Sequence, residues 1–168
     1  KKTLQYFCGT KQKAKKSRTF RRINRKYPYI HPGTKVRRTS SLAIYIDQSG
    51  SVGDDGIAMF FSALAGLAKN VSFKVFHFDT AVDKNSEYSW RKGQKYRTPM
   101  RTLTGGTSFN CVETHFRTRS SEFDGCIVMT DGCAPKPKTC ISKRCWVLLP
   151  GYKLVFPKEK RDSIVLMS

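Results

Sequence analysis

The chain has 168 residues, 32 Lys or Arg against 12 Asp or Glu, and a formal net charge of +20. That length supports one domain with a real core. No stretch has the length and hydropathy of a transmembrane helix or signal peptide, so no membrane role is expected and a cytoplasmic setting with reduced thiols is the default.

The charge is unevenly placed. Residues 1–39 contain fourteen Lys or Arg and no acidic residue, and the first carboxylate of the chain is Asp47. This reads as a basic N-terminal arm or linker (1–39) ahead of a moderately basic domain (40–168). The arm interleaves its cations with Tyr6, Phe7, Phe20, Tyr27 and Tyr29. Lys11, Lys13, Lys15, Lys16, Arg18, Arg21, Arg22, Arg25 and Lys26 are its candidate polyanion-binding residues. Such a pattern can hold phosphates and stack on bases. It also fits a solvated tail or an inter-domain segment. Arg25 to Gly33 carries two prolines and a glycine and is expected to be extended or turned. Tyr27, Tyr29 and Ile30 are expected to pin the arm to the domain surface, leaving the Lys cluster at 11–16 free.

Leu42-Ala43-Ile44-Tyr45-Ile46 is a continuous apolar run, the mark of a strand buried on both faces. It ends in Asp47-Gln48-Ser49-Gly50-Ser51, an Asp-x-Ser-x-Ser turn. One carboxylate and two hydroxyls there are hard oxygen donors, suited to a hard divalent cation such as Mg2+. Asp54 and Asp55 open a helix, a favourable place for negative charge. Ile57, Phe60, Phe61, Leu64, Leu67 and Ala68 then mark one apolar face. Ala63, Ala65 and Gly66 are expected to let that helix lie close to the sheet, and Asn70 to stop it.

Val71 to Phe78 reads as a second strand, with Ala81-Val82-Asp83 as an edge strand beside it; residues 84–101 give no pattern beyond a loop or short hairpin. Thr104-Gly105-Gly106-Thr107-Ser108 is a loop leading to a helix N-cap, and Phe109, Val112 and Phe116 continue at helical spacing to about Arg119. Cys126 to Met129 and Cys145 to Leu149 are two more buried runs, the first ending in Thr130-Asp131-Gly132. Leu154 to Phe156 and Ile164 to Leu166 are weaker strand candidates. Strands alternating with helices predict a doubly wound α/β domain with a mostly parallel sheet and flanking helices.

Among the six cysteines, Cys126 and Cys145 are expected to be buried apolar residues. A zinc site from Cys111, Cys133 and Cys140 has the wrong spacing for structural zinc frameworks. His77 lies in an apolar strand and His115 within a helix, and neither has a nucleophile elbow to serve. No catalytic residue is assigned.

The order Asp47/Ser49/Ser51, then Thr107, then Asp131 resembles the metal-ion-dependent adhesion site of von Willebrand factor A (VWA) domains. Arg25-Lys26-Tyr27-Pro28, Phe78-Asp79-Thr80 and Gly105-Gly106-Thr107-Ser108-Phe109 are similar to the bacterial VWA-like domain that follows a metallopeptidase-like region. No His-Glu-x-x-His motif is present, so no peptidase role carries over. The resemblance implies a VWA/Rossmann-like fold over about residues 40–150. It also implies Mg2+ or Mn2+ held by Asp47, Ser49, Ser51, Thr107 and Asp131. A partner protein's acidic residue would complete the coordination, and a MoxR-type AAA+ ATPase is the implied partner class. The alternative function is a nucleic-acid-associated component, virion or ribonucleoprotein, acting through residues 1–39. The lack of an initiating Met suggests a processed chain or part of a longer one.

Overall fold

Residues 13–39, 41–94, 98–139 and 144–167 are described by the computed structural model. In chain order the strands are β1 (Lys13–Ile23), β2 (Pro32–Thr39), β3 (Leu42–Asp47), β4 (Phe73–Phe78), β5 (Tyr88–Trp90), β6 (Gly125–Thr130), β7 (Arg144–Leu148) and β8 (Ser163–Leu166). Helix α1 (Asp54–Ala68) follows β3, and helix α2 (Phe109–Thr118) precedes β6.

The apolar run after residue 41 becomes β3, and all six of its residues are buried. It lies inside a six-stranded sheet of order β5-β4-β3-β6-β7-β8. Every pairing from β4 to β8 is parallel, and only β5 runs antiparallel. The chain leaves β3 to one side, through α1 to β4, and later returns to the other side as β6. The loops after β3 and β6 therefore diverge at the carboxyl edge, which is where open α/β sheets form their binding crevice.

Successive β3 residues point to opposite faces. Leu42, Ile44 and Ile46 join Ile57, Phe60 and Leu64 of α1 in one core. Ala43 and Tyr45 join Phe109, Val112 and Phe116 of α2 in the other. One helix thus covers each face, giving the doubly wound α/β architecture expected from the sequence. The predicted face of α1 is buried throughout, from Ile57 to Ala68.

Several local expectations are corrected. Ala81 to Asp83 do not form an edge strand. A single bridge links Phe78 and Val82, and the edge is β5, from the stretch that had no readable pattern. Asp83 turns the chain instead, its Oδ1 accepting the Asn85 N–H at 2.9 Å. Leu154 to Phe156 is not a strand; Leu154 and Phe156 pack individually on the α2-side core. Gly66 faces solvent with nothing near it, and the close approach of α1 falls at Gly56, where a Cβ would lie 2.8 Å from Leu149 Cδ1.

The basic segment is itself structured. β1 and β2 form an antiparallel hairpin, a separate two-stranded sheet. Asn24 Oδ1 organises its turn, accepting the N–H of Lys26 at 3.0 Å and of Tyr27 at 3.2 Å. Tyr27, Tyr29 and Ile30 do not pin it to the domain: they are 48%, 88% and 72% exposed. The hairpin pairs its own backbone and forms its own turn, so those side chains are left at its tip. Of the candidate polyanion-binding residues, Lys11 lies outside the described residues, Lys13, Lys15 and Lys16 are on β1, and Arg18, Arg21, Arg22, Arg25 and Lys26 are exposed. Tyr6, Phe7, Cys8, Arg97 and Cys140 also lie outside the described residues.

Candidate metal centre

Asp47 is the last residue of β3, fully buried at the carboxyl edge. Its Oδ1 accepts the Ser49 N–H at 2.9 Å, which curls the following turn back over the strand end. Its Oδ2 accepts from Thr130 Oγ1 at 2.6 Å. Ser49 and Ser51 hydroxyls meet at 3.1 Å. Ser49 is buried and Ser51 exposed, so the pair runs from the floor of the site to its rim.

Asp131 follows β6 directly and is fully buried. Its Oδ1 accepts the Cys133 N–H at 3.0 Å and lies 3.4 Å from Thr130 Oγ1. Its Oδ2 is buried and, among the described residues, has no hydrogen-bond partner. Gly132 completes the turn with φ +81°, where a Cβ would lie 2.9 Å from the Lys153 carbonyl oxygen, so only glycine fits without strain.

The third loop, 104–108, reaches the same edge. The Gly50 N–H donates to Gly105 O at 3.1 Å, and the Ser108 N–H to Asp79 O at 2.9 Å. Gly105 leaves room for the Asp79 carboxylate, whose Oδ2 would lie 2.6 Å from a Cβ there. Thr107 is half-buried in this loop. Asp47, Ser49, Ser51 and Asp131 are joined by one hydrogen-bond chain through Thr130. Thr107 is brought to the same edge by its loop backbone, but among the described residues no hydrogen bond ties its hydroxyl to the other four.

Burial pushes the Asp47 carboxyl above the usual carboxylate range. The neighbouring Asp131 charge adds to this, while hydrogen bonds from Thr130 and Ser49 oppose it. Two buried carboxylates with an unpartnered oxygen are costly without a compensating cation. The donor set is carboxylate and hydroxyl oxygen, which fits Mg2+ or Mn2+. Burial pushes the nearby Cys111 thiol up to about 12, and Cys133 is raised as well. Among the described residues no three His, Cys, Asp or Glu side chains gather to hold a metal, and of the proposed zinc ligands Cys140 falls outside them.

Two features carried no signal in the sequence. Arg101 clamps the turn after β3, with Nη1 donating to Gln48 O at 3.2 Å, Nη2 to Val52 O, and Nε to Asp54 Oδ1 at 2.8 Å. Thr130 bridges the two aspartates; its place in an apolar run ending in Asp131 is visible, its role is not. The histidines stand apart from the site. His77 is buried, pushed down to about 4 by burial, with Nδ1 3.0 Å from Thr102 Oγ1. His115 Nδ1 meets the Tyr45 hydroxyl at 2.9 Å.

Sheet order, a helix on each face and acidic loops at the strand switch define a doubly wound α/β domain of Rossmann-like type. No family model matches the chain, and no curated protein sequence matches it. Among solved structures it is similar to the crystal structure of the ArnB paralog VWA2 from Sulfolobus acidocaldarius, at TM-score 0.46 and 16% sequence identity, over 82% of this chain and 44% of that one. The chain therefore spans less than half the length of that protein.

Proposed function

We propose that this chain is a metal-dependent protein-interaction module and not an enzyme. Asp47, Ser49, Ser51, Thr107 and Asp131 hold Mg2+ or Mn2+, and an acidic side chain of a partner supplies a further oxygen. The observation that carries this reading is Asp131 Oδ2, a buried carboxylate oxygen with no hydrogen-bond partner, at the strand switch and linked through Thr130 to Asp47. Mg2+ keeps waters readily, so a cation held by these residues would have room for a water or for a partner's oxygen. When bound, the cation supplies Lewis acidity and a docking charge. The chain's own residues hold it, shape the rim through Ser51, and keep the turn rigid through Arg101. The sequence resemblance to VWA domains suggests an adaptor role beside a MoxR-type AAA+ ATPase, with any peptidase region outside this sequence.

The test is calorimetry of Mg2+ and Mn2+ against wild type, Asp47→Ala and Asp131→Ala, followed by capture of an acidic peptide with and without chelator. Saturable binding by wild type alone, and capture that chelator reverses, is the expected result. Identical isotherms for wild type and both variants would overturn the site assignment.

A further inference from the structure

We infer that the β1–β2 hairpin binds single-stranded nucleic acid, holding phosphates with Arg18, Arg21, Arg22, Arg25 and Lys26 and stacking bases on Phe20 and Tyr29. This is separate from the metal reading and stands or falls without it.

The first argument is charge. The five cations are exposed, and no Asp or Glu occurs anywhere before Asp47. A surface with one sign of charge and no internal counter-charge is complementary to a polyanion.

The second is where the exposed rings are. Phe20 is 84% exposed and Tyr29 88%, and Ile23 and Ile30 lie beside them at 64% and 72%. Most phenylalanines and both tryptophans of the six-stranded domain are buried and Phe156 is half-buried, while its exposed Met100, Tyr152, Val155 and Leu166 are spread along the chain. Tyr27 is otherwise engaged, edge-on to His31 with centroids 5.5 Å apart and under the Lys26 ammonium at 5.6 Å. Among the described residues, Phe20 and Tyr29 are the most exposed Phe and Tyr rings.

The third is how the backbone presents them. The strand register runs Thr19↔Gly33 and then Ile23↔Pro32, so Phe20, Arg21 and Arg22 form a bulge with no paired residues opposite. A Cβ on Gly33 would lie 2.2 Å from the Arg22 carbonyl oxygen, so glycine is what allows the bulge to close against β2. Tyr29 holds φ +68°, a left-handed conformation that non-glycine residues adopt only where their surroundings impose it. A groove of about 650 Å³ runs from Arg21 through Arg25 to Gly33 and Thr34. Arginines and an aromatic ring thus leave the ribbon together, beside a groove.

Single strands fit this better than duplex. An exposed ring gains by stacking on an open base face, and a duplex hides its base faces inside the stack. Arg18 and Arg21 lie near Phe20 in the sequence, and Arg25 and Lys26 precede Tyr29, so cations stand near both rings to meet the phosphates of a stacked strand. The contact is tolerant of sequence, because every base offers a π face.

The experiment uses the full chain. Labelled oligo(U) and oligo(dT), a duplex of equal length, and vesicles of phosphatidylcholine with phosphatidylserine are titrated in parallel. Single strands are expected to bind tighter than duplex. Phe20→Ala and Tyr29→Ala should each weaken single-strand binding about tenfold and leave duplex binding unchanged. Arg21→Ala or Arg22→Ala should flatten the salt dependence by about 0.7 in the log–log slope on single strands. These side chains are exposed, so their loss leaves folding intact, which circular dichroism checks. Equal affinity for duplex, indifference to both aromatic substitutions, or binding to vesicles but not to oligonucleotides would each overturn the proposal.

Discussion

Thr130 Oγ1 donates to Asp47 Oδ2 at 2.6 Å, joining the carboxyl ends of two neighbouring parallel strands across 83 residues of sequence. The same oxygen accepts the Gly132 N–H at 3.0 Å, so one hydroxyl fixes both an aspartate and the turn that carries the other. Thr130→Val keeps the shape and removes the hydroxyl. It is expected to cost about 1.5–3 kcal/mol, the range for a hydrogen bond to a charged group. It should also weaken the proposed metal binding about 10–100-fold, as loss of an outer-shell partner does. Denaturant unfolding and Mg2+ calorimetry check this together, and Thr130→Ser should restore both. An unchanged isotherm would mean that Asp47 needs no such support.

Leu64 is fully buried between α1 and the sheet, in the same core as Phe60 and Ile127. Leu64→Ala should destabilise the domain by about 2–5 kcal/mol, depending on how far the core can close around the gap. A change under roughly 0.5 kcal/mol in urea unfolding would place this helix face outside the core.

Arg144 is buried with its two counter-ions. It meets Glu113 Oε1 at 2.6 Å and Asp162 Oδ2 at 2.8 Å, while Trp146 Nε1 donates to Asp162 at 3.0 Å. Arg144→Met leaves two buried carboxylates deprived of that guanidinium. The expected cost is about 3–5 kcal/mol, read from the denaturation midpoint. A substitution that left the midpoint in place would show that the Arg144 cluster adds nothing to stability.

Acid should unfasten a different cluster. The Arg119 guanidinium is the main cause holding both Glu87 and Glu122 down to about 2, with Lys74 assisting. The folded chain therefore binds fewer protons at these groups than the unfolded chain does. Their stabilisation is complete above the ordinary glutamate value of 4.5 and is lost as pH falls toward about 2. Arg119→Ala should shrink that slope. Unfolding curves of wild type and variant taken down this window would have to run parallel to refute it.

How much of this was readable depended on the range of the signal. β3, α1, β6 and β7 announced themselves through continuous apolar runs and a 3.6-residue period, both local patterns. The Asp-x-Ser-x-Ser turn was equally local. Arg144 carries no sequence signal, because its partners lie 31 and 18 residues away and no window of sequence joins them. Arg101 was hidden for the same reason. The hairpin is not legible in a basic arm because a Lys/Arg-rich strand has no apolar alternation, and the expected pinning by Tyr27, Tyr29 and Ile30 fails because an aromatic residue does not say whether its ring is covered. Thr130 needed the strand order itself, since only the adjacency of β3 and β6 brings it to Asp47.

Among the described residues β8 pairs with β7 alone, so its other side offers unbonded amides and carbonyls to any chain that comes near. Leu166 is 61% exposed on it. Such an edge is short here, four residues, and Lys158, Lys160 and Arg161 precede it. Cations beside an exposed edge are expected to act as gatekeepers that keep two copies apart by repulsion. A bound polyanion would neutralise the same repulsion. If the hairpin holds nucleic acid as proposed, turbidity should peak where nucleic acid and protein charges balance and clear again when either is in excess, and the solubility of the chain would follow the occupancy of its hairpin.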